Sequence, residues 1–227
     1  MNRWRVGIAL VFGALLVRSA EAGDVSGKAV FKGAAPAVKT TPSDKDASVC
    51  GKSHPEFPRV EVGSGGGLKD VVVQITGVKD SRPAGKVTLD QQKCMFVPSV
   101  SILPVGWTLG ITSSDPILHN THAFWQDGSS AFNLAVPIQG MTMSWKADKT
   151  GQLKLRCDAG HTWMGAAIVV TSSPFAAVTK EDGSFAFKDV PPGTYAVEAW
   201  HPLLGKKTMN VTVGAAPAPV SFEFSGS

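Results

Sequence analysis

The sequence of 227 residues predicts an all-β protein. Short runs rich in β-branched and aromatic residues recur along the chain, and Gly, Pro, Asp or Asn separates them. No stretch places apolar residues at helical spacing over three or more turns. Regular alternation of short strands and turn residues is typical of a β-sandwich or barrel. In the middle of the chain the predicted strands are Val100–Leu103, Thr108–Ile111, Ala131–Val136, Met141–Trp145, Leu153–Cys157 and Ala166–Val170.

Two further strands are predicted nearer the start of the chain. Val25–Lys32 alternates between apolar and polar residues, and a loop broken by prolines follows it as far as Cys50. The glycines of Gly63–Gly67 lead into Val71–Ile75, which is short and β-branched. These glycines indicate a turn, because a phosphate-binding loop would also need a Lys-Ser/Thr pair and a helix directly after it.

The first 22 residues have the pattern of a Sec-type signal peptide. Two arginines precede the apolar run Val6–Val17, and Ala20-Glu21-Ala22 supplies the small residues of a cleavage site. The run is shorter than the roughly 20 residues that a spanning helix needs. We therefore expect a periplasmic or otherwise exported protein with no membrane span after signal removal.

The charge of the chain gives no indication of a nucleic-acid partner. The formal net charge is +4, and loss of residues 1–22 removes three positive charges and one negative charge, which leaves +2. The basic residues are scattered singly, whereas a nucleic-acid surface needs them clustered on one face.

The last fifty residues have the pattern of successive β-hairpins. Asp182-Gly183 is a favoured two-residue hairpin turn between Phe175–Val178 and Phe185–Phe187, and Pro191-Pro192-Gly193 predicts a second reversal. Asp182–Trp200 resembles the repeat of carboxypeptidase regulatory-like domains, which are prealbumin-like β-sandwiches. That resemblance implies a small β-sandwich module with no chemistry of its own.

The division into domains follows from these segments. We expect the signal peptide at 1–22, N-terminal strands at 23–87, a metal-binding β domain at 88–172 and the prealbumin-like module at 173–227. The strand near Val25 also resembles the first strand of such a module. The metal-binding domain is therefore either nested within the module or followed by it, and the sequence leaves both arrangements open.

The loop after the strand at Leu153 carries the chemistry of the chain. Within eight residues it offers a thiol at Cys157, an imidazole at His161 and a thioether at Met164. These soft and borderline donors suit copper better than calcium or magnesium, which prefer oxygen. A trigonal copper site needs a second imidazole, and His119, in Asp-Pro-Ile-Leu-His-Asn, is the best candidate.

An upstream His followed by Cys, His and Met in one loop resembles the cupredoxins. The resemblance covers about residues 96–171 and implies a Greek-key sandwich that binds one copper ion. It implies His119, Cys157, His161 and Met164 as ligands, and Asn120 as a residue that holds the ligand loop. The spacing also resembles half of a binuclear copper centre. Leu153 stands four positions before Cys157, where that centre needs another Cys, so we expect a single ion.

The odd number of cysteines agrees with a metal-bound thiolate. If Cys157 is a ligand, Cys50 and Cys94 remain to form a disulfide in an oxidising compartment. The alternative is two buried free thiols, because sequence does not show whether the two Cα atoms lie close enough.

Several other residues allow both a functional and a structural interpretation. His122 follows His119 by three, which turns it to the opposite face of a strand, and His54 and His201 are expected to be exposed or hydrogen-bonded. Trp125 and Trp163 could surround an exposed edge of His161 as a docking patch or belong to the core. Met141 and Met143 are more typical of a core stripe than of a copper relay.

The ligand set predicts an electron-transfer protein rather than an enzyme. Four protein ligands leave no open position for a substrate. A redox partner protein, of unknown identity, is expected. The alternative function is copper capture or delivery with the same donors, and a third is docking of the C-terminal module onto a cell-surface structure.

Overall fold

The structure, a computed structural model, describes residues 21–226. The predicted signal peptide, apart from its last two residues, lies outside this range. Within it, no helix has both the length and the apolar character needed to cross a membrane.

Residues 21–226 confirm the all-β prediction. Their helical structure consists of the four-residue helix α1, Ala47–Cys50, and a 3-10 turn at Ser64–Gly66. The strands in chain order are β1 Gly23–Lys32, β2 Thr40–Pro42, β3 Ser53–Pro55, β4 Val72–Ile75, β5 Lys86–Gln92, β6 Met95–Val97, β7 Val100–Pro104, β8 Thr108–Ser113, β9 His119–Trp125, β10 Ser130–Val136, β11 Thr142–Lys146, β12 Gly151–Arg156, β13 Gly165–Thr171, β14 Ala176–Val178, β15 Ser184–Val190, β16 Gly193–His201, β17 Gly205–Val213 and β18 Ala218–Ser225.

Four of the sheets form two sandwiches. The outer sandwich combines the sheets β15-β1-β18 and β14-β4-β16-β17. The inner sandwich combines β10-β9-β12-β13-β7 with β11-β8-β5-β6. Both ends of the described chain thus contribute to the outer sheets, with β1 parallel to β18. The domain limits given above stay a prediction.

Each sandwich buries its own apolar core. Phe31, Val73 and Phe224 belong to the outer core, and Leu109, Leu155 and Ile168 to the inner core. A third, smaller cluster joins β4, β7 and β13. All seven residues of β13 are buried because this strand faces the inner core on one side and the outer sandwich on the other. The ligand loop before β13 is therefore attached to a fully buried strand.

The hairpin predicted around Asp182-Gly183 is wrong. The Asp182-Gly183 turn is formed, with the Gly183 amide donating to Lys180 O, but the strands on either side lie in different sheets. β14 pairs with β4, whereas β15 pairs with β1. The second reversal likewise takes the chain from one outer sheet to the other. Turn residues specify a reversal but not the partner that the next strand finds.

A short segment lies over one end of the inner sandwich. Residues 40–58, here called the cover segment, contain the β2–β3 pair and α1. Asp46 directly precedes α1 as its N-cap residue, and Cys50 ends the helix. Phe57, near the end of the segment, lies close to Gly165. A side chain at position 165 would collide with the Phe57 ring. The sequence had indicated only a loop for the first part of this segment.

Candidate metal centre

The predicted ligands lie at the ends of neighbouring strands. His119 is the first residue of β9, and Cys157 directly follows β12. β9 and β12 are antiparallel, with His122 opposite Arg156, so the start of one strand adjoins the end of the other. His161 and Met164 lie in the turn that leads from Cys157 to β13.

Donor atoms of three predicted ligands converge. One ring nitrogen each of His119 and His161 and the Sγ of Cys157 lie within 4.8 Å of one another. The distance from Cys157 Sγ to His161 Nδ1 is 3.7 Å. Metal–nitrogen and metal–sulfur bonds of about 2.0–2.3 Å place donors at such separations around a common ion.

The His119 ring is oriented by a buried carboxylate. Its Nε2 lies 2.9 Å from an oxygen of Asp115, and its Nδ1 is buried with no hydrogen-bond partner in the part of the chain that the structure describes. Asp115 also accepts hydrogen bonds from the backbone amides of Lys93 and Cys94. A charged carboxylate acceptor assigns the ring proton to Nε2, which leaves the Nδ1 lone pair free for a metal.

The His161 ring has the same arrangement with a different carboxylate. Its Nε2 lies 2.9 Å from an oxygen of Asp46 in the cover segment, and its Nδ1 faces Cys157. Burial lowers the pKa of His161, and the Asp46 hydrogen bond opposes this only in part. Hydrogen bonds from Lys45 and His161 hold the pKa of Asp46 below its usual range. A neutral imidazole beside a carboxylate is the form that binds metal.

The thiol lies in a loop held by backbone amides. Burial raises the pKa of Cys157, while amide donors of Ala159, Asn120 and His161 act in the opposite direction. The Asn120 side chain also accepts a hydrogen bond from the Asp158 amide. A bound cation would add the positive charge that a buried thiolate needs.

Met164 and the disulfide beside His161 are also part of the surroundings of the donor cluster. The Met164 side chain is buried in the inner core, and its amide donates to His161 O at 3.0 Å. Cys50 and Cys94 form a disulfide with Cα atoms 5.2 Å apart, and Cys157 is the free cysteine of the described residues. The clustered donor set of one thiol and two imidazoles suits a soft metal such as copper.

The expectation of an exposed His161 edge is wrong. The His161 side chain is fully buried beneath Asp46, and the Trp163 ring is 3% exposed. Trp163 donates its indole N–H to Cys94 O and stacks on His54 with ring centroids 3.8 Å apart. Trp163 is therefore a core residue, because the cover segment occupies the surface where a docking patch was expected. Trp125 is half-buried and packs against the inner core.

Three residues that contribute to this centre were not found by sequence reasoning. Asp115 stands four residues before His119, a spacing that could have suggested the contact. Asp46 is 115 residues from its partner His161, and no sequence signal connects the two. His54 was expected to be exposed or hydrogen-bonded, yet it is buried, and its Nε2 is without a partner among the described residues.

His122 and His201 belong to none of the clusters of metal-ligand side chains among the described residues. His122 is on the outward side of β9, where its Nδ1 contacts Asp158 at 2.6 Å and its Nε2 contacts the Ser130 hydroxyl at 2.9 Å. His201 is buried, and its Nδ1 accepts from the Leu203 and Leu204 amides. Met141 is exposed and Met143 packs against the inner core.

Comparisons with known proteins give a family match for only part of the chain. Residues 159–222 match the β-sandwich domain of ER membrane protein complex subunit 7. This is a β-sandwich family, but not the carboxypeptidase regulatory-like one, whose resemblance stays a prediction. No curated protein matches the chain.

The solved structures that match include copper proteins. A Cu-containing nitrite reductase from Thermus scotoductus is 23% identical over 42% of this chain, with a TM-score of 0.33, and the match spans 24% of the reductase chain. A purple cupredoxin from Nitrosopumilus maritimus is 20% identical over 37% of this chain and 99% of its own, also with a TM-score of 0.33.

A Cu(I) amicyanin mutant is 18% identical over 44% of this chain and 98% of its own, with a TM-score of 0.33. These values describe a likeness of fold over less than half of the chain. What the described residues establish is an all-β chain with a β-sandwich module at its C-terminal end and a buried cluster of histidine and cysteine donors that could hold a metal.

Proposed function

We propose that this chain is an exported mononuclear copper protein that transfers electrons, with His119, Cys157, His161 and Met164 as ligands. The observation that carries the proposal is at His119: its Nδ1 is buried and has no hydrogen-bond partner among residues 21–226, and one of its ring nitrogens lies within 4.8 Å of the donors of Cys157 and His161. A buried polar atom without a partner is costly, and a bound cation would satisfy it.

The chain's own residues supply what an electron carrier requires. Copper bound here would provide one-electron redox chemistry. Asp115 and Asp46 orient the two imidazoles, and the rigid ends of β9 and β12 keep the donors in position when the electron moves. Small donor movements mean a small reorganisation energy, which favours fast transfer.

The proposal predicts an intense visible absorption band in the copper-loaded protein, which arises from the Cys157 thiolate. Cys157→Ser should abolish this band, because a hydroxyl does not supply the charge-transfer donor. Met141→Leu is the matched control, since Met141 is an exposed soft donor outside the proposed ligand set. A colourless copper form, or an unchanged band in Cys157→Ser, would reject the assignment.

One observation favours a second candidate, copper capture or delivery. The cover segment buries His161 completely, so no ligand edge is offered to a redox partner. A carrier of electrons should cycle reversibly in voltammetry and keep its copper against a chelator. A delivery protein should surrender copper to an acceptor at a rate that depends on the cover segment.

A further inference from the structure

We propose that the Cys50–Cys94 disulfide is a masked second metal site, which binds Cu(I) together with His161 once a dithiol has reduced it. This site is distinct from the Cys157 site, and the two share only the His161 ring. The inference does not require that the proposed electron-transfer function be correct.

The geometry of the three residues carries the proposal. The sulfur atoms of Cys50 and Cys94 and a ring nitrogen of His161 lie within 4.8 Å of one another. The two sulfurs are bonded to each other in the disulfide, so the limit is informative only for their distances from the His161 nitrogen. A metal–sulfur bond of about 2.3 Å and a metal–nitrogen bond of about 2.0 Å together span nearly that distance. Two separated thiolates and the imidazole would therefore reach one ion without a movement of the strands.

The turn that carries Cys94 does not depend on the disulfide for its position. Its amide donates to Asp115, and its carbonyl accepts from the Trp163 indole. Asp115 in turn holds His119. After reduction, Cys94 should stay beside the ligand loop because these hydrogen bonds remain.

The cover segment is likewise attached at points other than Cys50. Asp46 accepts from His161, and His54 stacks on Trp163. Cys50 ends a helix of only four residues with no buried member, so its side chain can adjust. The dithiol form should therefore present two thiols to His161 within a folded protein.

The reduction of the Cys50–Cys94 disulfide is a thiol–disulfide exchange. A thiolate of the external dithiol attacks Cys50, which is half-buried, whereas Cys94 is fully buried. A mixed disulfide forms at Cys50, and Cys94 leaves as a thiolate and takes up a proton. The second thiol of the reductant then closes the reductant's own disulfide and releases Cys50 as a thiol. Cu(I) binding displaces both thiol protons.

Two thiolates and one imidazole select a soft ion. Thiolate ligands favour Cu(I) over the hard cations, and a three-donor set satisfies a monovalent ion of low coordination number. In the disulfide form neither sulfur carries a charge, so the same position has no comparable affinity.

The test uses the Cys157→Ser variant, which removes the thiolate of the other site. The variant is prepared with the disulfide intact and, separately, after anaerobic treatment with dithiothreitol and removal of the reductant. A chromogenic thiol reagent should count no free thiols in the first form and two in the second. Both forms are titrated with Cu(I) in competition with bathocuproine disulfonate.

The dithiol form should retain one Cu(I) per chain, and its two thiols should become protected from the reagent. The disulfide form should lose its Cu(I) to the chelator. Equal retention by both forms, or thiols that react equally fast with and without Cu(I), would overturn the proposal.

A second variant distinguishes a folded site from binding by any reduced chain. Cys157→Ser/His161→Ala keeps both thiols but lacks the imidazole. Its dithiol form should bind Cu(I) at least about tenfold more weakly, since even indirect support of a ligand is worth that factor. Equal affinity in the two variants would show that His161 is not a donor and would overturn the three-residue site, whether or not reduction unfolds the protein.

Discussion

At the scale of single residues, both candidate imidazole ligands donate from Nε2 to a carboxylate. Asp115 is buried and also accepts two backbone amides, so it is rigid as well as charged. Asp46 is partly exposed and belongs to the cover segment. Two carboxylates add negative charge next to the donors, which stabilises the higher oxidation state of a bound metal and makes both rings stronger donors.

Asp115→Asn should weaken copper binding by about 10–100-fold, which is the usual effect of losing such a partner. The reduction potential should rise, because the substitution removes a negative charge that favours Cu(II). Chelator competition and voltammetry measure the two effects. Asp127→Asn makes the same chemical change in an exposed turn where Asp127 contacts Ser129, and it should leave both quantities unchanged. Equal affinity in Asp115→Asn and wild type would contradict the assigned role.

At the scale of elements, the cover segment decides how the centre meets solvent. Three of its contacts with the inner sandwich are the Cys50–Cys94 disulfide, the Asp46–His161 hydrogen bond and the His54–Trp163 stack. Each of these three contacts involves the ligand loop or the turn that precedes β6. The segment therefore covers the donors, and we expect its attachment to limit the exchange of a bound metal.

Asp46→Ala should speed the release of copper to an excess of chelator, because the cover segment loses its hydrogen bond to His161 and the ring loses its carboxylate. The release rate is measured from the decay of the visible band after the chelator is mixed in. Asp44→Ala is the matched control, since Asp44 is an exposed carboxylate two residues away on the same segment. If both variants release copper at the wild-type rate, the segment does not limit exchange.

At the scale of the whole molecule, the two sandwiches have separate cores joined by a small shared cluster. The candidate metal centre belongs to the inner sandwich. The outer sandwich contains another buried histidine, His201, at the end of β16. Burial lowers the pKa of His201 to about 4. Its protonated form is therefore disfavoured in the folded state relative to the unfolded chain, which affects stability rather than the metal.

The free energy of unfolding should fall as the pH decreases from about 6.5 to 4. Above this window His201 is neutral in both the folded and the unfolded state, and its contribution to the free energy of unfolding is fully present. Within the window the unfolded chain binds the proton first, which costs at most about 3 kcal/mol. His201→Asn retains an acceptor for the Leu203 and Leu204 amides and should show a shallower dependence in urea unfolding at several pH values. The same dependence in both proteins would contradict the assignment to His201.

Much of the fold and of the candidate centre could be predicted from local patterns. The strands at Val25, Val100, Leu153 and Ala166 were expected near where they occur, because alternation and turn residues act over a few positions. The cysteine loop was recognisable because Cys157, His161 and Met164 lie within eight residues. The hairpin pairing after Val178 was wrong, since pairing depends on partners far away in the chain.

The sequence by itself determined the all-β class, and it predicted three donors in one loop with His119 as a distant fourth. Only the tertiary structure decided that β9 adjoins β12, that Asp46 covers His161, and that Cys50 and Cys94 lie against the same ring. The physical reason is that these contacts bring together residues up to 115 positions apart. Burial of two cores selects which strands meet, and no local pattern encodes that choice.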